Sequence, residues 1–340
     1  MSTAVLDVPT LEKLIAAAVA APSVHNTQPW RFRLDPGSVT LEIRAAADRG
    51  LRFSDPSGRA LHVSVGCALF NLRVAVAHFG WEPVTRLLPR PEQPDLLATV
   101  RLTGAAGATG AGPGADPGVE ELYEALWTRH SSRLPFADRQ LPAGVLDELS
   151  EAAREEGGVF TFSEPAGAER LLRLTGEAEQ RNRADADRAA ESRRWIVRLP
   201  DAASIGVPPA AIGPQDYRDH IPMRDFGAHR HPSVLAARAF ETRPSIAVLA
   251  TPHDRRTDWL RAGQALERVL LVATAHGIRA SLLHQALEWP DLREQVTGDP
   301  DDRRTHAQMV IRLGYGPEGT PSPRRTAAQV LEQQRLTAAR

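Results

Sequence analysis

Apolar residues recur along the chain in two patterns, one typical of helices and the other of strands. Residues 57–79 and 259–276 are apolar on nearly every side, which predicts two long helices buried in a core. Amphipathic patterns predict shorter helices, the first capped by Thr10, at residues 11–20, 120–129, 142–155 and 169–194. Short apolar runs between turn residues predict strands at residues 31–34, 39–44, 97–102, 158–162, 245–250, 279–283 and 308–313. This mixture indicates an α+β fold.

The two long apolar stretches share a local sequence. Gly66 begins the letters GCAL and Gly263 begins GQAL, and each stretch then reaches Ala-His shortly before a second glycine, Gly80 or Gly277, at the same spacing. A repeat of roughly 200 residues is too long for a solenoid and predicts two copies of one α+β unit, packed as a fused dimer would be. Chance similarity between two alanine-rich helices is the alternative.

Two segments interrupt the regular pattern. Residues 104–118 are a Gly/Ala/Pro run that predicts a linker between a first unit, residues 1–103, and a second unit, residues 119–340. The run lacks the G-x-G-x-x-G spacing of a dinucleotide-binding loop. Residues 191–231 are broken by prolines among arginines and apolar residues, which predicts an irregular surface excursion of the kind that forms a lid.

The charge and residue composition limit the kinds of molecule that the protein can bind. The formal net charge is −1, so we expect no attraction to nucleic acid or to an anionic membrane. Lys13 is the only lysine, which means that an anion site must be built from arginines and backbone amides. Cys67 is the only cysteine and reads as a core residue. No signal-peptide pattern or run of about 18 apolar residues is evident, so a cytoplasmic location is expected.

The loop after the first helix is rich in hydrogen-bonding side chains. Pro22 and Pro29 bound a segment that must leave the helix, and this segment contains the polar residues Ser23, His25, Asn26, Thr27 and Gln28. Taken alone, it fits a turn closed by a buried Trp30. Its letters PSVHNTQPW resemble the P-S-x-x-N-x-Q-P-W loop of the nitroreductase family, which contacts flavin. That resemblance implies that Ser23, His25, Asn26 and Gln28 bind the cofactor.

A second motif follows the helix predicted at 120–129. Its letters RHSSR, followed by Pro-Phe, could simply place arginines at a helix C-terminus, where they interact with the helix dipole. They also resemble the R-x-S-x-[RK]-x-F signature of nitroreductases. The resemblance implies that Arg129 and Ser131 hold the phosphate or ribityl chain of FMN and that Arg133 lies beside flavin N1 and O2. His130, between them, is also expected to bind the cofactor.

Two further stretches extend the resemblance towards the C-terminus. The sequence from Gly314 to Arg325 is similar to the closing segment of the family, and Arg324 and Arg325 would then hold the phosphate. A solvated basic tail is the alternative. Leu283 and His284 lie where the family places backbone amides opposite flavin N5, a match by position rather than by letter.

The resemblance is strongest to the Acg-like branch, which has two fused units and a lid. It implies an FMN-dependent oxidoreductase that transfers hydride through flavin N5, from a nicotinamide or other small-molecule donor to a nitroaromatic, quinone or similar acceptor. No side-chain acid or base is then required, so we name no catalytic residue. Each half of the chain has only one of the two motifs, which predicts one FMN per chain and a pseudo-dimeric monomer. A non-catalytic protein that stores FMN beneath its lid is the alternative.

A metal site is a different class of function that the histidines suggest. His220, Asp225, His229 and His231 lie close together in sequence, and imidazole with carboxylate can bind a divalent metal. The segment is broken by prolines and has no second group of ligands. We therefore expect no metal centre.

Overall fold

The computed structural model describes residues 6–105, 118–197, 204–227, 236–297 and 305–332. In these ranges the helices are α1 Val8–Val19, α2 Arg59–His78, α3 Tyr123–Thr128, α4 Ala143–Glu155, α5 Pro165–Ala184, α6 Ala186–Arg194, α7 Arg256–Ala275, α8 Pro290–Val296 and α9 Ala327–Val330. The strands are β1 Trp30–Asp35, β2 Thr40–Ala45, β3 Trp81–Leu87, β4 Leu96–Ala105, β5 Val159–Phe162, β6 Gln215–Asp216, β7 Ala237–Arg238, β8 Ser245–Thr251, β9 Arg279–Leu282 and β10 His306–Gly314.

Two four-stranded antiparallel sheets repeat one topology. The first has the order β1-β2-β4-β3 and the second has the order β5-β8-β10-β9. In each, a 20-residue helix, α2 or α7, connects the second strand of the unit to the third. The predicted α+β fold with a duplicated unit is therefore confirmed.

The helices α2 and α7 pack against each other at the centre of the molecule. Gly66 and Gly263 lie at the crossing, where a Cβ on Gly66 would be 2.8 Å from the Cα of Gly263. Both helices end before a glycine with positive φ, +86° at Gly80 and +68° at Gly277. An L side chain is strained in that conformation, which explains the repeated helix stop.

The sequence prediction missed β3, β6, β7, α8 and α9, misplaced two helix ends, and took α5 and α6, which Asp185 separates, for one helix. β3 contains Pro83 and half-exposed polar residues, which is possible because it lies at the edge of its sheet. The cap of α1 is Asp7, not Thr10, because the Asp7 carboxylate accepts a hydrogen bond from the Thr10 amide at 2.8 Å. The helix predicted at 120–129 is a short 3-10 turn followed by α3, and the backbone becomes extended at Arg129.

One helix in the described ranges, α2, is long and apolar enough to span a membrane. Its most apolar window is 89% buried inside the protein, where it packs between α1 and α7. This helix is therefore part of the protein core.

Part of the predicted lid is described, and we call residues 204–227 the lid segment. It contributes a small apolar cluster, Val207, Ala211, Ile212 and Phe226, against which Ile196 packs. A bridge between Ile196 and Val207 connects it to the end of α6. Most of the predicted linker, residues 106–117, lies outside the described residues, and β4 extends to Ala105 before it.

Candidate functional site

A partly open cavity lies between the two units and the lid segment. Its wall includes ten of the twelve residues predicted to bind the cofactor: Ser23, His25, Asn26, Arg129, His130, Ser131, Arg133, Leu283, His284 and Arg324. Two others, Gln28 and Arg325, lie outside the wall. The fold thus brings together motifs that are more than 100 residues apart in the chain.

The loop after α1 is held in a strained conformation. His25, Asn26 and Gln28 all have positive φ, at 49°, 53° and 49°, which is uncommon for residues other than glycine. Two serines fix the loop, because the Gln28 amide donates to Ser23 Oγ at 3.0 Å and the Val24 amide donates to Ser64 Oγ at 3.1 Å. This geometry turns His25 towards the cavity.

Asn26 connects the loop to two other segments. Its Nδ2 donates to the carbonyl oxygens of Gly206 in the lid segment and Pro323 near the C-terminus, at 2.8 and 2.9 Å. Its Oδ1 accepts from Arg324 at 2.9 Å. The side-chain amide of Asn26 therefore forms its hydrogen bonds with other residues of the protein.

Gln28 and Arg325 bind each other rather than the cavity. The Arg325 amide donates to Gln28 Oε1 at 2.9 Å, and its guanidinium donates to the carbonyl oxygens of Gln28 and Trp30. Gln28 is fully buried. The structure places these two residues where they hold the loop against the C-terminal segment.

Two buried arginines meet at one end of the cavity. Arg129 and Arg324 both donate to the carbonyl oxygen of Ala20, each at 3.2 Å. Behind them, Glu267 Oε1 lies 3.4 Å from Arg129 Nε. Burial, together with the charge of Arg129, lowers the pKa of Arg324 to about 9. Two close guanidinium groups at one end of a cavity form a site suited to an oxyanion.

The lid segment contributes Val207, Met223, Arg224 and Phe226 to the cavity wall. Arg133 donates to the carbonyl oxygen of Ala211 at 2.7 Å, and its guanidinium lies 5.4 Å from the ring centre of Phe226. Burial and the nearby Arg224 lower the pKa of Arg133 to about 10. Arg133 thus contacts the lid segment while it lines the cavity.

His25 is held neutral as one tautomer. Arg224 lies 2.9 Å from His25 Nε2, and because a guanidinium can only donate, that nitrogen is the acceptor. The ring proton is then on Nδ1, which is buried and meets no acceptor among the described residues. Burial, helped by Arg224, keeps the pKa of His25 well below 6.5.

A buried carboxylate organises the charges around His25 and His284. Glu288 accepts from Arg224 and lies 3.0 Å from His284 Nδ1. On the other side of the His284 ring, Arg59 reaches Nε2 at 3.1 Å. Burial acts to raise the pKa of Glu288, but Arg224 and His284 outweigh it and hold the pKa at about 2.

Sequence reasoning missed Arg59, Arg224, Glu267 and Glu288. Arg59 and Glu267 carried a signal, because each is a charge inside a stretch that is otherwise apolar on nearly every side. Arg224 and Glu288 lie in a proline-broken segment and a short 3-10 turn, where no regular pattern of apolar residues marks a charge as buried.

No family model matches the chain. A protein of Mycobacterium tuberculosis named "Putative NAD(P)H nitroreductase Rv3131" is 32% identical over 339 residues, which cover 98% of this chain and 94% of that protein. The chain belongs to the NAD(P)H nitroreductase family. The protein "Putative NAD(P)H nitroreductase acg" of the same organism is 26% identical over 95% of this chain and 94% of its own length. The sequence prediction of this family, with Acg among the relatives, is confirmed.

A solved structure gives a weaker match. The FMN-dependent nitroreductase NfnB from Mycobacterium smegmatis, in complex with NADPH, is 16% identical. The match covers 63% of this chain and 99% of that one, with a TM-score of 0.39.

The duplicated nitroreductase unit has a second place equivalent to the cavity, where the chain leaves α4. There Glu156 lies 2.5 Å from Arg73 and 3.0 Å from Arg268, and Glu155 pairs with Arg268. The turn to β5 is only three residues long, residues 156–158. Ion pairs between the protein's own side chains occupy this region.

The histidine-rich stretch is only partly described. His229 and His231 lie outside the described residues, while Asp225 Oδ2 lies 3.0 Å from Arg183. In the ranges that the structure covers, no group of three or more His, Cys, Asp or Glu side chains could hold a metal ion.

Proposed function

We propose that the cavity binds FMN and that the chain is an FMN-dependent oxidoreductase, acting between a small-molecule donor and a small-molecule acceptor. One observation carries the proposal. Among the described residues, the wall contains five arginines and no carboxylate: Arg59, Arg129, Arg133, Arg224 and Arg324. Arg129 and Arg224 are paired with Glu267 and Glu288 outside the wall, but among the described residues Arg133 and Arg324 hydrogen-bond only to uncharged oxygens. Buried cations are normally paired, so this excess of positive charge indicates an anionic ligand.

The rest of the wall fits the flavin ring system. Apolar side chains also line the cavity, including Val63, Leu266, Leu283 and Met309. A wall that combines apolar side chains with guanidinium groups suits a flat aromatic molecule with a phosphate tail. The unsatisfied Nδ1 of His25 and Nε of Arg324 are buried donors that such a ligand can reach.

Different residues of the cavity wall would bind different parts of FMN. Arg129 and Arg324, with Ser131 beside them, would hold the phosphate, while Arg133 would bind the pyrimidine edge of the ring. Leu283 and His284 line the wall at the end of β9 and would face the reactive part of the ring. Bound FMN would supply reversible hydride transfer at N5. The lid segment would exclude water from the bound cofactor, and we assign no catalytic side chain.

Flavin storage is the second candidate, and the lid contacts favour it. Asn26 and Arg133 both bind carbonyl oxygens of the lid segment, so the residues proposed to hold the cofactor also hold the cavity closed. A lid fixed in this way would shield FMN from both the donor and the acceptor. Storage and turnover therefore differ in whether the lid opens during the reaction.

One experiment separates the two functions. Purified protein loaded with FMN is mixed anaerobically with NADPH or NADH, and the flavin absorbance is followed, then a quinone or nitroaromatic compound is added. An oxidoreductase is bleached and recovers its colour. A storage protein keeps its colour throughout, and a protein that takes up no FMN contradicts both functions.

We also propose the units and the setting in which this activity occurs. The chain would consist of a unit at 1–103, a linker at 104–118 and a unit at 119–340, with the lid inserted at about 191–231. The motifs of both units contribute to one cavity within a single chain, which supports a self-sufficient pseudo-dimeric monomer. The expected location is cytoplasmic, with no nucleic acid or membrane as partner.

A further inference from the structure

Glu267 is a carboxylate buried in the centre of the molecule. Its exposed fraction is 0%, and it belongs to α7, next to Leu266 in the cavity wall. Among the described residues, neither of its carboxylate oxygens meets a donor in good hydrogen-bonding geometry. An ionised carboxylate without such donors is costly to bury, so burial favours the protonated form of this group.

Among the described residues, the groups that act on Glu267 come from the segment after α3, from the C-terminal segment and from α2. Arg129 is 3.4 Å away, and Arg324 acts on it from the C-terminal segment. On α2, Asn71 donates its Nδ2 to the carbonyl of Ala17 and its side chain also acts to lower the pKa of Glu267, while burial keeps the Cys67 thiol neutral by raising its pKa well above 9.0. His130, next to Arg129, lines the cavity.

We propose that Glu267 positions Arg129 for the FMN phosphate and takes up a proton when that phosphate binds. The inference rests on the proposed function. Before binding, the ionised carboxylate offsets part of the charge of Arg129 and Arg324. The phosphate dianion takes over that role, and the carboxylate then faces a second anion across the same two guanidinium groups.

The sign of the effect follows from the charges. Burial raises the pKa of Glu267 to about 7, with Arg129 acting against it. A nearby phosphate dianion raises this pKa further, since like charges disfavour ionisation. The complex therefore holds a proton that the free protein has lost above pH 7. By linkage, the affinity for FMN must fall as the pH rises above 7.

Calorimetry of FMN binding to apoprotein, in buffers of different ionisation enthalpy, measures the proton uptake. We expect about half a proton at pH 7 and close to one at pH 8, with the Kd rising nearly tenfold per pH unit above pH 7.5. Above pH 7.5 the phosphate itself is almost fully dianionic, so the proton must enter the protein. Riboflavin, which lacks the phosphate, should bind with no uptake.

Variants assign the proton to one side chain. Glu267→Gln should bind FMN with no uptake and a flat pH profile, whereas Glu156→Gln, in the equivalent region of the other unit, should match the wild type. Uptake that persists in Glu267→Gln and disappears in His130→Asn would overturn the proposal. The absence of uptake in the wild type would do the same.

Failure of the proposed function and failure of this inference give different results. If neither FMN nor riboflavin binds, the cofactor assignment is wrong. If Glu267→Gln does not fold, infrared difference spectra of wild-type protein with ¹³C-labelled glutamate still test the proposal, because FMN must then increase the signal of a protonated carboxyl group. An unchanged carboxyl signal would reject it.

Discussion

Gly66 of α2 and Gly263 of α7 touch backbone to backbone, and each would place a Cβ within 2.8 Å of the other's Cα. The two residues occupy the same position in the duplicated helix. Their contact marks the pseudo-symmetric crossing from which the two units extend. Both helices also contribute residues to the wall of the cavity, among them Val63 and Leu266.

Gly66→Ala should destabilise the protein by about 1–3 kcal/mol or more, because the new methyl group meets the backbone of Leu260 and Gly263, which cannot move away alone. Urea denaturation measures the change. Gly144→Ala in α4 is the matched control, since nothing lies within 4 Å of its Cβ position. We expect it to change stability by less than about 1 kcal/mol. Equal effects of the two substitutions would contradict the close crossing.

FMN should saturate at one molecule per chain. The second, equivalent region contains the ion pairs of Glu156 with Arg73 and Arg268, and these carboxylates would repel a phosphate. Flavin absorbance against protein concentration, on a sample of known mass in solution, gives the ratio. A ratio near two would contradict the prediction, as would binding that is lost when a dimer is diluted to monomer.

Arg324→Ala and Arg325→Ala should have different effects. Arg324 lines the cavity, and its loss should weaken FMN binding roughly tenfold to a hundredfold with little effect on riboflavin, as expected for one charge-assisted hydrogen bond of about 1.5–3 kcal/mol. Arg325 holds the backbone of Gln28 and Trp30, so its loss should lower thermal stability first. Titration with both ligands and thermal melts measure the two effects, and a selective loss of phosphate affinity in Arg325→Ala would reverse the assignment.

Arg133→Ala should leave FMN binding largely intact and make the bound flavin harder to reduce. The guanidinium would favour the negative charge that the flavin gains on reduction, and removing it from a partly dry site costs about 1–3 kcal/mol. The midpoint potential measures this effect. Arg133→Lys should retain most of the wild-type potential, because it keeps the charge but not the contact geometry with Ala211. An unchanged potential in the alanine variant would place Arg133 away from the ring.

Glu267→Gln should stabilise the apoprotein more at pH 8 than at pH 5. The pKa of Glu267 is raised from 4.5 to about 7 in the folded state, so its stabilising effect is complete below 4.5 and is lost as the pH rises through 7. Glutamine stays neutral and has no such loss. We expect the gain in free energy of unfolding to be about 2 kcal/mol larger at pH 8 than at pH 5. Denaturation at both pH values tests it, and a gain independent of pH would contradict the raised pKa.

The sequence determined the local elements because their signals are local. The apolar periodicity of α2 and α7, the glycine stops at Gly80 and Gly277, and most of the strands follow from hydrophobic patterning and turn chemistry. The edge strand β3 was not predictable in this way, because Pro83 and alternating exposure weaken its pattern. Tertiary pairing with β4 forms it.

The motifs alone were enough to identify the family and ten residues of the cavity wall, because the residues of each motif are neighbours in the sequence and can be recognised without the fold. The motifs could not show that Gln28 and Arg325 bind each other. Nor could they show that the Asn26 side-chain amide donates to carbonyl oxygens of the lid segment and the C-terminal segment. Those partners are almost 180 or 300 residues away. Only the packing of α2 against α7 brings Glu267 behind Arg129, and only the folded lid segment brings Arg224 to His25. Burial and proximity set the charges of these groups, and both are properties of the tertiary structure.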